Sequence, residues 1–135
     1  MTEKSSEKTE ASSGVGVLAR PGGISYVEIP AVDAQQSAAF YKQVFGWNVR
    51  VQGAHVSFDD ASGYVSGAWS TERSISREPG VLPYIYVDRI DETLAKVTAR
   101  GGEVVRAPYP EGDLWVATLR DPAGNVIGVW QQGPR

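Results

Sequence analysis

The sequence predicts an α+β fold built from two tandem βαβββ modules. Asp60-Ala-Ser-Gly63-Tyr-Val65-Ser-Gly67-Ala-Trp69 and Asp121-Pro-Ala-Gly124-Asn-Val126-Ile-Gly128-Val-Trp130 both read D-x-x-G-x-V-x-G-x-W without a gap. Upstream, Tyr26-Val-Glu-Ile-Pro-Ala-Val-Asp33 is echoed by Tyr84-Ile-Tyr-Val-Asp-Arg-Ile-Asp91. The offsets are 58 residues for the upstream pair and 61 for the downstream pair. Two landmarks recurring in the same order at nearly one spacing point to a duplicated unit.

Each element then follows in order. The Tyr26 run is strand-like and leads to Asp33, whose carboxylate suits a helix N-cap. Ala38, Phe40, Tyr41, Val44 and Phe45 give residues 34–45 an apolar face near helical spacing, and Gly46 stops the run. Residues 47–51, 54–58 and 64–69 read as three strands. In the second half Asp91 is the expected cap, Leu94, Ala95, Val97 and Thr98 supply the helix face, and Gly101-Gly102 end it. Residues 103–106, 114–119 and 126–131 repeat the strands. The stretches starting at Asp60 and Asp121 have turn chemistry before each last strand.

Composition bounds the function. The 135 residues include one histidine, His55, no cysteine, and 13 basic against 16 acidic side chains. A chain of this size can bury roughly 68% of its unfolded surface, so it needs no staples. The absence of cysteine removes disulfides, thiolate metal sites and thiol nucleophiles, and a lone histidine removes His clusters. A net charge of −3 without a Lys/Arg cluster gives no footprint for nucleic acid. No apolar run is long enough for a membrane span or a secretory signal, so the expectation is a cytoplasmic protein with no membrane partner. Residues 1–21 (Ser-, Glu-, Lys- and Gly-rich, without an aromatic) are expected to be a flexible tail. The folded domain is expected over 22–133, with modules at about 23–70 and 83–132 joined by a polar linker, 71–82.

The stretch Ala38 to Trp47, A-A-F-Y-x-x-V-F-G-W, and the close Asp121 to Ile127, D-P-x-G-N-x-I, occur here together with the tandem βαβββ pattern. On these features the chain resembles the vicinal oxygen chelate superfamily, the glyoxalase, bleomycin-resistance and extradiol dioxygenase group, over about residues 23–132. The resemblance implies a curved mixed sheet around a cleft and a homodimer. It also implies a divalent metal held by His, Gln or Glu from the first and last strands of each module. Carried onto this chain, those positions are Tyr26, Gly67, Tyr84 and Gly128. Two phenols and two glycines are a poor set for a divalent ion, which needs several converging oxygen or nitrogen donors. The expectation is therefore no metal and no cofactor.

The cleft is expected to be aromatic instead. Tyr26, Tyr84, Trp69 and Trp130 are expected on one face, with Glu28 and Tyr86 two residues along the first strands. Such a pocket suits a small organic molecule, planar or cationic, held by stacking and cation-π contact, an antibiotic among the candidates. An alternative is a lyase- or isomerase-type enzyme with an atypical metal set including Glu28, or acid/base chemistry by Glu28 and a tyrosine. A non-catalytic partner protein with a vestigial cleft is a third reading. Elsewhere, His55 reads as a strand histidine without a nucleophile beside it, and Asp59-Asp60 as part of a hairpin turn. Glu111 and Asp113 read as a solvated loop, Arg77 and Glu78 as linker charges. Gly14, Gly16, Gly22 and Gly23 form no phosphate loop, because no G-K-[ST] follows.

Overall fold

The computed structural model describes residues 16–135. Ten elements follow one another: β1 (Tyr26–Pro30), α1 (Ala34–Phe45), β2 (Asn48–Gln52), β3 (His55–Asp59), β4 (Ser66–Ser70), β5 (Tyr84–Tyr86), α2 (Ile90–Ala99), β6 (Glu103–Glu111), β7 (Leu114–Arg120) and β8 (Val126–Gln132). They build two four-stranded sheets, ordered β1-β4-β3-β2 and β5-β8-β7-β6. In each, the first strand pairs parallel with the last and the other pairs are antiparallel. The architecture is α+β, with a mixed sheet and one helix per module.

The helices start by different means. Asp33 caps α1 through its side chain, which accepts from the amides of Gln35 and Gln36. Gly46, at φ 75°, closes that helix in the left-handed region. The expected cap Asp91 lies inside the first turn of α2, whose N-cap is Arg89 with no side-chain cap bond. Gln131 compensates from β8: its side-chain oxygen accepts from the Ile90 amide at 2.8 Å. An orphan donor at the helix start is thus satisfied by a strand 41 residues away.

One continuous core joins the modules. It holds Phe40, Tyr41 and Val44 of α1, Phe58 and Trp69 of the first sheet, Ile90, Leu94 and Val97 of α2, and Leu119 and Val129 of the second sheet. Trp47 stacks between Tyr41 and Phe58, with ring centroids at 4.7 and 4.5 Å. Those contacts explain the F-Y-x-x-V-F-G-W stretch: Phe40 and Tyr41 are buried on the helix, and Gly46 returns the chain so that Trp47 lies against them. The Tyr41 hydroxyl donates to Asp121 Oδ2 at the end of β7.

Residues 71–82, expected as a linker, are partly fastened. The Ser76 amide donates to Asn125 Oδ1, and the Ser76 carbonyl accepts from Val126. Asn125 Nδ2 in turn donates to the Pro30 carbonyl and to Asp121 Oδ2. One carboxamide therefore ties together the first strand, the connector and the last turn. The expected tail falls largely on residues 1–15, outside the described residues. Within the remainder, Arg20 donates to the Tyr64 carbonyl and lies over the Tyr64 ring at 4.7 Å.

Candidate functional site

Strand register decides which side chains share a face, because directly paired residues point the same way. In the first sheet Glu28 pairs with Ala68 and Ile29 with Trp69. In the second, Tyr84 pairs with Gly128 and Tyr86 with Trp130. The backbone bonds from Ala31 to Ser70 and from Val87 to Trp130 repeat the same relationship. Structurally equivalent residues are therefore offset by 56 in the first strands (Glu28 and Tyr84) and by 60 in the last strands (Ala68 and Gly128). The letter match set those offsets at 58 and 61.

In the last strands the difference lies in one turn. Asp60 bonds through its amide to the Val65 carbonyl, whereas Asp121 bonds to that of Asn125, so the first turn is one residue longer. Both aspartates organise their turns as expected: Asp60 Oδ1 accepts from Gly63 and Val65, and Asp121 Oδ1 from Ala123, Gly124 and Asn125. Beyond the turn, a slip of one residue exchanges the two faces of the strand. Trp69 is consequently not beside the tyrosines. It points to the helix side, is 5% exposed, and packs against Phe58 with centroids 4.8 Å apart. Gly67 sits on that side too, where an added Cβ would come 1.9 Å from the Val27 carbonyl oxygen.

The other expected residues do lie on the open faces. Tyr26, Tyr84 and Tyr86 are 53%, 46% and 48% exposed. Tyr86 meets Trp130 edge to face at 4.9 Å. Tyr84 covers Gly128, where an added Cβ would fall 2.4 Å from its ring. Two rows cross the second sheet on this side: Tyr84, Gly128, Thr118 and Arg106, then Tyr86, Trp130, Val116 and Tyr109. Partial burial, then the neighbouring Tyr109 phenol and Glu111 carboxylate, raise the Tyr84 phenol, with Arg106 opposing.

The first sheet's open face differs in chemistry. It presents Glu28, Ser57, Ser66, Asp59 and Arg50. Arg73 forms an ion pair with Glu28, and Arg50 pairs with Asp59 at 2.6 Å. Burial alone would raise the Asp59 carboxyl, but hydrogen bonds from Ser66, Arg50 and Asn48 and the Arg50 charge outweigh it and hold it below the ordinary carboxylate range. His55 is exposed at the start of β3, paired with Gln52. Glu111 ends β6 rather than lying in a loop, and Asp113 occupies the turn that follows. A groove of about 710 Å³ runs beside β5, between Val44 and Phe45, the turn at 60–62 and the start of α2. It shares Tyr84 and Tyr86 with the aromatic face, and neither Trp130 nor Glu28 is among its lining residues.

The sequence pattern of the Glyoxalase/Bleomycin resistance protein/Dioxygenase superfamily matches residues 23–129. The chain belongs to that superfamily. It is 29% identical over 122 residues to CFP32 of Mycobacterium tuberculosis, covering 83% of this chain and 46% of that protein. The chain thus spans about half the length of the mycobacterial relatives it matches. A glyoxylase-like domain-containing protein of Didymella fabae is 33% identical over 91 residues, 61% of this chain and 70% of that one. Among solved structures, a superfamily enzyme from Burkholderia phytofirmans PsJN superposes with a TM-score of 0.67 at 24% identity, covering 80% and 97% of the two chains. TnmS3, an antibiotic binding protein from Streptomyces sp. CB03234, gives 0.63 at 22%, covering 83% and 97%. At these identities the structural likeness speaks for the fold.

By register, the first-module counterparts of Tyr84 and Gly128 are Glu28 and Ala68, not Tyr26 and Gly67. Together Glu28, Ala68, Tyr84 and Gly128 supply one carboxylate, already paired with Arg73, and one phenol. That donor set does not fit a divalent cation. Among the described residues, no three His, Cys, Asp or Glu side chains cluster so as to hold a metal ion. No helix there is long and apolar enough to cross a membrane.

Proposed function

We propose that this chain is a superfamily member that has lost the metal ligands and binds a small organic molecule, of planar ring character, on the aromatic face of its second sheet. The carrying observation is the Tyr84 ring over Gly128 beside the Tyr86–Trp130 pair. Two half-exposed tyrosine rings and the partly buried Trp130, around a residue without a side chain, offer flat surfaces and room for close approach. Free rings of this size on a strand face are costly to leave in water unless something covers them. The likeness to TnmS3 makes an antibiotic one class to try.

The same reading includes a homodimer. Tyr26, half-exposed on the first sheet, leaves apolar surface there that a second copy would cover. The absence of a nucleic-acid partner accords with the acidic balance, and cytoplasmic residence is part of the same proposal. The acid/base alternative is disfavoured by two features: Glu28 is neutralised by Arg73, and the Tyr84 phenol is raised and so a poorer acid.

Fluorescence titration with bleomycin and with planar aromatic compounds tests binding. Saturable quenching that is lost in Trp130→Leu and kept in Trp69→Phe is the expected outcome. No response across the set would sink the binding reading. Elemental analysis after dialysis against manganese, nickel and zinc tests the metal: a stoichiometric bound divalent ion would overturn the ligand-loss reading. Light scattering on the eluted protein tests the dimer, which a monomer mass would refute.

A further inference from the structure

The pairing of β6 with β7 slips twice. Val104 faces Leu119, Arg106 faces Thr118, and Tyr109 faces Val116. In an unbroken strand Val104 and Arg106 would share a face, and Arg106 and Tyr109 would point oppositely. The slips reverse both relations. Val104 goes with Leu119 on the helix side, while Arg106 and Tyr109 come together on the open side, extending the two rows that begin at Tyr84 and Tyr86. Irregularities of this kind re-aim side chains and recur near functional sites. The matching strands of the first module, β2 and β3, pair through five consecutive residues with no slip. The arrangement is therefore peculiar to the aromatic sheet.

The consequence is a prepared cation. The Arg106 guanidinium carbon lies over the Tyr109 ring, 3.5 Å from its centroid. Among the described residues no carboxylate pairs with Arg106, although Arg50, Arg73, Arg89, Arg120 and Arg135 each have one. Stacking fixes the plane of a guanidinium and leaves its edge donors free for a fork-to-fork bond with a carboxylate. Two strand spacings, roughly 10 Å, separate β8 with Trp130 from β6 with Arg106, a span matched by a two-ring aromatic acid. The side chains that could receive a cation on the other sheet, Glu28 and Asp59, are already occupied by Arg73 and Arg50.

We propose that the aromatic face takes a flat aromatic carboxylate, with its rings against Tyr84, Tyr86 and Trp130 and its carboxylate on Arg106. This rests on the reading of that face as a binding site and names the chemical class it selects. The guanidinium supplies what stacking cannot: discrimination between a charged acid and its neutral isostere. Hydrogen bonds to charged groups are strong enough that about tenfold or more in affinity rides on this contact.

Calorimetric titration of the full chain with 2-naphthoate and 2-naphthamide tests it. The acid is expected to bind at least about tenfold more tightly than the amide. In Arg106→Gln, at an exposed strand position, that advantage is expected to vanish while amide binding stays; circular dichroism checks that the variant is folded. Arg106→Lys keeps the charge without the planar fork and is expected to recover only part of the preference. Equal affinity for acid and amide in the parent chain, or a preference surviving in Arg106→Gln, overturns the carboxylate assignment and leaves the aromatic face standing. No binding of either compound, with no shift of the Trp130 indole resonance, removes both.

Discussion

The Tyr41 hydroxyl and the Asp121 carboxylate, 80 residues apart in the chain, meet in a buried hydrogen bond of 2.7 Å. Tyr41 belongs to the first helix and Asp121 to the turn before the last strand, so this contact joins the two modules at their centre. Tyr41→Phe leaves Asp121 Oδ2 with its bond from Asn125. The substitution is expected to cost about 1.5–3 kcal/mol in urea unfolding, the usual worth of a hydrogen bond to a charged group.

Burial, and then the charge and hydrogen bond of Asp121, push the Tyr41 phenol well above its ordinary 10.0. A folded value above the unfolded one stabilises fully below the unfolded value, and that contribution is lost as pH rises toward the folded value. Stability is therefore expected to fall steadily above pH 10.0, and to fall less steeply in Tyr41→Phe. Urea midpoints collected across the alkaline range in both proteins measure the difference.

Asp59 gives the opposite limb. Its folded carboxyl lies below 3.8, so its contribution is present above that value and disappears as pH drops through the folded one. Arg50→Met is expected to flatten the acid side of the stability profile while changing neutral stability by less than about 1 kcal/mol, since the pair is half-exposed. Identical acid profiles for parent and variant would show that Arg50 does not hold this carboxyl down.

The two glycines of the repeated D-x-x-G-x-V-x-G-x-W phrase are expected to respond differently. At Gly67 a methyl group meets the Val27 carbonyl oxygen and the Phe58 ring, neither of which has room to move. Gly67→Ala is expected to destabilise by at least about 1–3 kcal/mol, the range of overpacked cores. At Gly128 the obstacle is the Tyr84 ring, half in solvent. Gly128→Ala is expected to melt within a few degrees of the parent yet to weaken ligand binding by displacing Tyr84. Equal melting losses in the two variants would contradict the register.

Asn125→Ala removes the partner of the Ser76 amide and of the Pro30 carbonyl at once. Beyond a loss of about 2–3 kcal/mol, the connector should loosen. Limited trypsin digestion is expected to cut after Arg73 or Arg77 faster than in the parent, read by mass spectrometry of the fragments.

Much of this architecture is legible in the residues, because local signals and tertiary demands agree there. The apolar face of 34–45, the Asp33 cap and the two Asp-Gly turns each follow from short-range chemistry that the structure repeats. The site is legible only in part. Tyr84, Tyr86 and Trp130 fall together because they lie on strands of plain alternation. The repeated letters place Trp69 with them by running across a turn one residue longer, a difference set by backbone bonds and invisible in the side chains. Arg106 and Tyr109 escape sequence reading for a related reason. Alternation sends them to opposite sides, and only the slipped pairing with β7 brings them together. The start of α2 is not legible locally because the group that bonds its first amide, Gln131, comes from the far end of the chain.

The bond from Asn125 to Pro30 and that from Tyr41 to Asp121 also bear on how such a two-module protein can change by recombination. The Tyr41 hydroxyl and the Pro30 carbonyl of the first half find their side-chain partners in the second. A half exchanged for that of a relative would bring its own strands and helix intact, but would leave that hydroxyl and that carbonyl without these partners at the seam. The two modules share a strand layout yet are not interchangeable parts. New binding specificities are therefore expected to arise within a module, by substitutions on its open sheet face, and not by shuffling halves.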